Sequence, residues 1–190
     1  MEWILASASP RRKQLLNGVL PAFEIIPSIS EEKAPDLPPE ELVCYLARQK
    51  ATEIAALKNA QGKAVIGADT IVAIDGEVLG KPKDKADAIR MLNALKGKTH
   101  QVYTGVCIVL PNGIKSFFES TDVVFENLTD AFIEKYVDGG SPMDKAGAYG
   151  IQDGGLVKEI KGSYSNVVGF PVERFIKELA ELKEQGQVTD

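Results

Sequence analysis

Residues 64–80, "AVIGADTIVAIDGEVLG", decide the fold of this chain. They begin with an apolar run typical of a buried strand, and apolar residues resume after a short polar interval. Gly67 predicts a break in the strand, because glycine weakens a strand interior and lets another group approach the backbone. Asp75 and Gly76 form a pair typical of a tight turn. We therefore predict a buried strand, a break at Gly67, more strand and then a turn.

Further elements are predicted on both sides of this stretch. The apolar spacing within residues 39–60 is helical, and residues 100–126 are typical of a long hairpin that turns at "PNG". The other predicted elements are short: strands near 2–6, 22–26 and 156–160, and helices near 10–17, 83–97, 129–139 and 171–185. Strands and helices are mixed without strict alternation. This pattern predicts an α/β fold in which helices pack around a mixed sheet.

Composition restricts the class of protein. The chain has 190 residues, 44% of them hydrophobic, which is enough for a core within one domain or two closely joined lobes. Its net charge of −5 argues against a general nucleic-acid or membrane-surface binder. No apolar run is long enough to span a bilayer, and the N-terminus does not resemble a signal peptide. We therefore expect a cytoplasmic protein with no nucleic-acid or membrane partner.

The cysteine and histidine content limits the possible chemistry. Cys44 and Cys107 cannot form a disulfide framework and lack metal-site spacing, so we expect both to be buried. His100 is the single histidine, which excludes a histidine-rich zinc site. Acid–base chemistry would then fall to carboxylates, lysines or a metal with oxygen ligands. A hydrolase that pairs one of the cysteines with His100 is an alternative.

The segment "LASASPRR", residues 5–12, predicts a strand that leads into a helix. Ser9 is typical of an N-cap and Pro10 of the first helical position. A helix N-terminus attracts phosphate or carboxylate, and the position where a capping box has Glu or Gln is Arg12. Arginine binds phosphate oxygens through two parallel hydrogen bonds. The alternative is a capped helix with solvated arginines.

Asp69 stands next to an apolar run, where a carboxylate is costly unless it is paired, exposed in a cleft or bound to metal. Because Gly67 allows close approach of a ligand, Asp69 is a candidate to bind Mg²⁺ or activate water; the alternative is an Asp that begins a turn. Lys81 lies on a stiff loop between glycine and proline, and is either a phosphate contact or a surface lysine.

The glycine-rich stretch "MDKAGAYGIQDGG", residues 143–155, predicts a loop whose backbone can approach a ligand. Tyr149 and Gln152 are candidates to stack on and hydrogen-bond a base, although an ordered loop explains the composition equally well. Lys50 lies at the edge of a helical apolar stripe and reaches either a cleft or solvent. Glu31 and Glu32 form an acidic loop that either completes a metal site with Asp69 or is solvated.

These segments share a pattern: basic residues and glycines recur at element ends together with carboxylates, in a chain that is acidic as a whole. The pattern favours a site for a polyanion with Mg²⁺. Basic side chains and metal would stabilise charge on phosphate oxygens, and a carboxylate would orient water.

Six blocks of sequence resemble the Maf family in their order along the chain: "LASASPRR", "GADTIV", "GKP", "MLNALKGKTHQVYTG", "MDKAGAYGIQ" and "GSYSNVVGFPV". The resemblance spans residues 5–172. It implies a single domain over residues 1–190, with an elongated mixed sheet and two lobes that flank a central cleft, as in inosine triphosphate pyrophosphatases. It also implies hydrolysis of a nucleoside triphosphate to the monophosphate and pyrophosphate with a divalent metal, Mg²⁺ or Mn²⁺.

The resemblance also assigns roles to particular residues. Asp69 matches the proton acceptor of the family and a metal contact, and Glu31 matches a second metal ligand, for which Glu32 is an alternative. Positions tied to substrate choice correspond to Arg11, Thr70 and Gln152. Residues expected near the phosphates correspond to Ser7, Arg12, Lys50, Lys81 and Lys145.

The form "GADT", with "AYGIQ" later in the chain, resembles the branch that acts on dTTP and UTP, whereas the 7-methyl-GTP branch typically has "GSDQ". Thr70 and Gln152 both carry groups that can donate and accept hydrogen bonds at a pyrimidine edge. The resemblance further implies a homodimer and a link to septum formation in bacterial division. A nucleotide-binding regulator of division without turnover is the alternative function.

Overall fold

A mixed sheet of seven strands forms the centre of the computed structural model, which describes residues 1–29 and 34–188. The strand order is β2-β1-β3-β5-β6-β7, and β4 pairs with β3. The strands are β1 (Trp3–Leu5), β2 (Glu24–Ile25), β3 (Ala64–Ile74), β4 (Glu77–Leu79), β5 (Thr99–Leu110), β6 (Gly113–Phe125) and β7 (Val157–Lys161). Strands β2, β1 and β3 are parallel, and every other pairing is antiparallel.

Six α-helices in the described part of the chain pack around this sheet: α1 (Pro10–Asn17), α2 (Pro39–Ala55), α3 (Lys85–Leu95), α4 (Asp130–Asp138), α5 (Tyr164–Val168) and α6 (Val172–Glu184). The predicted α/β class with a mixed sheet is therefore confirmed, as is the long hairpin, formed by β5 and β6. The strand predicted at 22–26 shortens to two exposed residues. Among the described residues, no helix is both long and apolar enough to cross a membrane.

The predicted break at Gly67 is wrong, because β3 runs through this residue without interruption. Glycine is required there for packing: a Cβ on Gly67 would lie 2.2 Å from the carbonyl oxygen of Ala47 in α2. Gly105 on β5 has the same relation to α2, with Val43 O at 2.3 Å from its would-be Cβ. These two glycines let the backbone of α2 lie directly on the sheet.

Strand β3 is paired unevenly along one edge. Strand β1 pairs with residues 64–66 and β4 pairs with residues 72–74, whereas β5 covers the other edge from Val65 to Ala73. Within the described ranges, residues 67–71 therefore have a strand partner on one side only. We call this interval the edge gap, and Asp69 and Thr70 lie within it.

The two faces of β3 have different surroundings, because successive side chains of a strand point to opposite faces. Val65 and Ile71 pack under α2, so Asp69 shares the α2 face. On the other face, two apolar clusters lie at opposite ends of the long strands. The first includes residues of α1 and α6, the second residues of α3 and α4. Thr70 and Thr104 lie opposite each other between the clusters.

Candidate active site

Helix α1 begins as the sequence predicts. Ser9 is the N-cap, its hydroxyl oxygen accepts a hydrogen bond from the backbone N–H of Arg12 at 3.4 Å, and Pro10 occupies the first turn. The first turn contains no acidic side chain. The helix itself therefore supplies no counter-charge for the positive end of its dipole, and two arginines follow it.

Arg12 is held on three sides by groups of the protein. Its Nε donates to the carbonyl oxygen of Gly169 at 2.9 Å, and its two terminal nitrogens donate to Ser7 Oγ at 3.3 Å and Thr70 Oγ1 at 3.0 Å. These bonds join the α1 corner, β3 and the segment between α5 and α6. The guanidinium is thus fixed in position before any ligand binds.

Asp69 and Lys50 form a close ion pair, in which Lys50 Nζ lies 2.5 Å from Asp69 Oδ1. Asp69 is only 8% exposed, as expected for a carboxylate on the α2 face of β3. Lys50 reaches it from α2, which the glycines of β3 and β5 hold close to the sheet. No other hydrogen bond to this carboxylate occurs within residues 1–29 and 34–188, so Oδ2 is the oxygen that remains for a water or a ligand.

The glycine-rich loop is ordered by an acidic residue at its end. Asp153 Oδ2 accepts hydrogen bonds from Tyr136 Oη at 2.5 Å and Ser141 Oγ at 2.7 Å. Burial acts to raise the pKa of Asp153, but these hydrogen bonds outweigh it and lower the pKa. Lys145 Nζ donates to Ser141 Oγ at 3.1 Å, and Gln152 is exposed. The loop consists of short 3₁₀ turns, and both Lys145 and Gln152 line the same cleft.

Arg11 joins this loop to α1 through Asp144. The guanidinium donates to Asp144 Oδ2 at 2.9 Å, while Lys145 Nζ lies 2.9 Å from the other carboxylate oxygen. Burial acts to raise the pKa of Asp144, yet hydrogen bonds from Lys145 and Arg11 lower it to about 2. Asp144 thus bridges two cations across the cleft. Sequence reasoning missed it, because a surface aspartate beside a lysine carries no distinguishing signal.

Tyr149 lines the cleft, but the residue is only 5% exposed, which leaves little of its ring to stack on a base as the sequence predicted. The hydroxyl pairs with His100 Nε2 at 2.8 Å, and the rings of Tyr149, His100 and Phe125 pack edge to face. Burial lowers the pKa of His100 to about 4, although the charge of Asp122 acts in the opposite direction. His100 is therefore a neutral core residue that anchors the glycine-rich loop.

This geometry also contradicts a cysteine–histidine hydrolase. Cys107 is fully buried and Cys44 is half-buried. Burial raises the pKa of both thiols, which disfavours the nucleophilic thiolate. Since His100 Nε2 is engaged by a tyrosine hydroxyl, a catalytic pair of this kind is excluded among these three residues.

One cleft of about 860 Å³ opens at the edge gap and brings together most of the residues singled out in the sequence. Asp69 lies on its wall, and Lys81 enters from the loop after β4. Every substrate-contact candidate lines this cleft: Ser7, Arg11, Arg12, Lys50, Thr70, Lys81, Lys145 and Gln152. Five of these side chains are basic. The arrangement suits a compact ligand with several negative charges.

Of the candidate metal ligands, the structure describes Asp69 alone. Asp69 offers carboxylate oxygen to the cleft, whereas Glu31 and its alternative Glu32 lie outside the described residues. No group of three or more acidic, histidine or cysteine side chains suited to a metal occurs among the described residues. Hard cations such as Mg²⁺ are commonly held by one or two carboxylates together with substrate phosphates, and the donors here fit that mode.

Comparison of the amino-acid sequence with known families matches this chain to one of them. The sequence model of the family described as "Maf-like protein" matches residues 2–182. A dTTP/UTP pyrophosphatase of Carboxydothermus hydrogenoformans is 50% identical, over 95% of this chain and 98% of that protein. A dTTP/UTP pyrophosphatase of Agathobacter rectalis is 47% identical, over 94% and 96%. Another, from Thermococcus gammatolerans, is 48% identical, over 94% and 95%.

Solved structures share the fold at much lower identity. A HAM1 protein from Coxiella burnetii superposes with a TM-score of 0.55 at 16% identity, over 95% of this chain and 99% of that one. The Ham1 protein of Staphylococcus aureus gives a TM-score of 0.53 at 17% identity, over 99% and 100%. These likenesses establish the architecture alone.

Proposed function

This chain belongs to the Maf family, and on that premise we propose that it is a nucleoside triphosphate pyrophosphatase for dTTP and UTP. It cleaves the bond between the α and β phosphates and releases a nucleoside monophosphate and pyrophosphate. Relatives that are 47–50% identical carry this activity in their names. The observation that carries the proposal is the cleft, which combines one buried carboxylate with five basic side chains.

The side chains of the cleft divide into phosphate contacts, a base contact and a proton acceptor. The arginines and lysines hold the phosphate oxygens, and the bonds that fix Arg12 place its charge in advance. Gln152, exposed at the cleft, can pair with the edge of a pyrimidine, because its amide both donates and accepts. Together these contacts orient the triphosphate against the edge gap.

Asp69 acts as the proton acceptor. A water oxygen attacks the α-phosphorus, its proton passes to Asp69, and the bond from the α-phosphorus to the bridging oxygen breaks as pyrophosphate leaves. Lys50, at 2.5 Å from Oδ1, fixes the orientation of the carboxylate and leaves Oδ2 for the water. The buried position restricts bulk solvent at this carboxylate.

The resemblance implies a divalent cation, and Asp69 together with Glu31 would hold Mg²⁺ or Mn²⁺ beside the phosphates. When bound, the ion would neutralise charge on the phosphate and pyrophosphate oxygens. The homodimer, the cytoplasmic location and the link to septum formation remain predictions from the sequence.

Asp69→Asn tests the assignment, because it keeps the size of the side chain and its ability to accept from Lys50 while removing the basic carboxylate. We expect pyrophosphate release from dTTP to fall by at least about 100-fold in a protein that still folds, although the loss of the buried ion pair lowers its melting temperature. Asp138→Asn is the matched control, since Asp138 pairs with Lys85 on the surface and does not line the cleft. A folded Asp69→Asn protein with full activity would contradict the assignment.

The same assay separates the enzyme from a nucleotide-binding regulator. Purified protein is incubated with dTTP, UTP and purine triphosphates in the presence of Mg²⁺, and pyrophosphate is measured. Turnover that is highest with dTTP and UTP, stops on chelation and returns with Mg²⁺ or Mn²⁺ supports the proposal. Binding of dTTP without pyrophosphate release favours the regulator.

A further inference from the structure

Thr104 lies behind the cleft wall and has no part in the chemistry described so far. It is fully buried, does not line the cleft, and is the direct cross-strand partner of Thr70. Thr70 and Thr104 stand between the two apolar clusters, in a polar strip of the sheet that continues to Glu119 and Thr121 on β6. A buried hydroxyl is costly unless it is hydrogen-bonded, so the bonds that Thr104 makes define what it does.

The distances favour one direction for these bonds. Thr104 Oγ1 lies 3.2 Å from the carbonyl oxygen of Asn166 and 3.0 Å from Thr70 Oγ1. A carbonyl can only accept, so the single proton of Thr104 goes to Asn166 and its oxygen accepts the proton of Thr70. The opposite direction would send the Thr70 proton to Gly169 O, a longer contact of 3.5 Å to an oxygen that already accepts from Arg12 Nε.

With its proton given to Thr104, Thr70 meets Arg12 as an acceptor. The terminal nitrogen of Arg12 donates to Thr70 Oγ1 at 3.0 Å, so the chain of bonds runs from Arg12 through Thr70 and Thr104 to Asn166. Each bond polarises the next in a chain of this kind. Thr70 therefore has no proton left to donate to a base, and can contact a base only as an acceptor.

We infer that Thr104 is a positioning residue which, through the hydroxyl of Thr70, orients the Arg12 guanidinium toward the phosphates. Thr70 then influences the substrate mainly through Arg12. The inference rests on the proposed function for its kinetic consequence, but its structural part concerns the protein alone. A merely space-filling Thr104 would contribute packing and stability without affecting Arg12.

Thr104→Val and Thr104→Ser form the matched pair. Valine keeps the shape and removes the hydroxyl, whereas serine keeps the hydroxyl and loses a methyl group. We expect Thr104→Val to raise the KM for dTTP about fivefold to tenfold, with kcat within about twofold of the parent. Thr104→Ser should restore the KM to within about twofold. Equal KM values for the parent and Thr104→Val, or no rescue by serine, would overturn the inference.

An Arg12→Ala variant shows whether Thr104→Val changes the KM through Arg12. In an Arg12→Ala protein the chain of bonds has lost its first member, so adding Thr104→Val should leave the KM unchanged. If Thr104→Val raises the KM by the same factor in both backgrounds, Thr104 does not act through Arg12 and the inference fails.

A measurement without nucleotide keeps the test independent of the proposed function. The Arg12 Nε–H signal, assigned in ¹⁵N NMR by its loss in Arg12→Lys, should exchange slowly with solvent in the parent and in Thr104→Ser. It should exchange faster in Thr104→Val, while equal exchange in all three proteins would contradict the inference. A parent protein that releases no pyrophosphate would refute the proposed function and leave this result standing.

Discussion

Four cationic side chains of the cleft are held by partners within the protein. Arg12 is fixed by three oxygen atoms, Arg11 by Asp144, Lys50 by Asp69 and Lys145 by a serine hydroxyl. Long basic side chains lose rotamer freedom when they bind a ligand, so fixing them in advance reduces the entropic cost of binding. The site is therefore preorganised at the level of single residues.

Contacts of this kind differ in how far a sequence can predict them. The cap at Ser9 was predictable because its donor lies three residues away. The bridge from Arg11 to Asp144 joins positions 133 apart, and nothing in the local sequence distinguishes Asp144 from a solvated aspartate. Tyr149 was assigned to a base for the same reason, since its partner His100 lies 49 residues away.

Among single side chains, we expect the change Tyr149→Phe to destabilise the protein. His100 Nδ1 is already buried without a hydrogen-bond partner among the described residues, and the change removes the partner of Nε2 as well. We expect the free energy of unfolding to fall by about 1–3 kcal/mol. Tyr164→Phe is the control, because Tyr164 is half exposed. Chemical denaturation measures both, and equal stabilities for the two variants would show that the buried pair contributes nothing.

Among the elements, α2 and β3 form the contact on which the site depends. The sequence predicted both elements, because their apolar periodicity is strong, and the turn at Asp75 and Gly76 followed from residue type. It did not predict that Gly67 allows α2 to pack closely on β3. A glycine within a strand pattern predicts a break unless the position of the neighbouring helix is known. The position of Lys50 over Asp69 is a consequence of that contact.

Gly67→Ala should therefore disturb the fold and the site together. The new methyl group would lie 2.2 Å from a backbone oxygen of α2, and a backbone atom cannot rotate away as a side chain can. We expect a loss of about 3 kcal/mol or more in the free energy of unfolding. Gly113→Ala on β6 is the control, because no atom lies within 4 Å of its would-be Cβ. A Gly67→Ala protein as stable as this control would refute the packing role.

For the molecule as a whole, β3, β5 and β6 pass from one apolar cluster to the other. Helices at both ends of the sheet therefore share the same strands, which favours unfolding as a unit. The predicted class of fold followed from the mixed succession of strand and helix patterns, but the division into two clusters did not. It depends on which helices cover which end of the sheet, and local periodicity carries no such information.

The stability of the whole molecule should depend on pH through its single histidine. Because the folded pKa of His100 is about 4 and the unfolded value is 6.5, acid protonates the unfolded chain first. The contribution of His100 to the free energy of unfolding is therefore fully present above pH 6.5. It declines by up to about 3 kcal/mol as the pH falls toward 4.

Urea unfolding at several pH values measures this decline. Carboxyl groups with lowered pKa values, Glu173 and Glu178 among them, also lose stability as the pH falls below about 5, so a His100 variant is needed to separate the two contributions. Replacing His100 by Gln should flatten the decline between pH 6.5 and 4, whatever its effect on absolute stability. An unchanged slope in the variant would show that another group is responsible.

The edge gap of β3 has a further consequence for solubility. Open strand edges invite pairing with the strands of other molecules, which leads to aggregation. Here the opening covers only residues 67–71, and it is bounded by β1 at one end and β4 at the other. An extended peptide longer than this interval would collide with these two strands. The opening at the candidate site therefore excludes a longer neighbouring β-strand by its length alone.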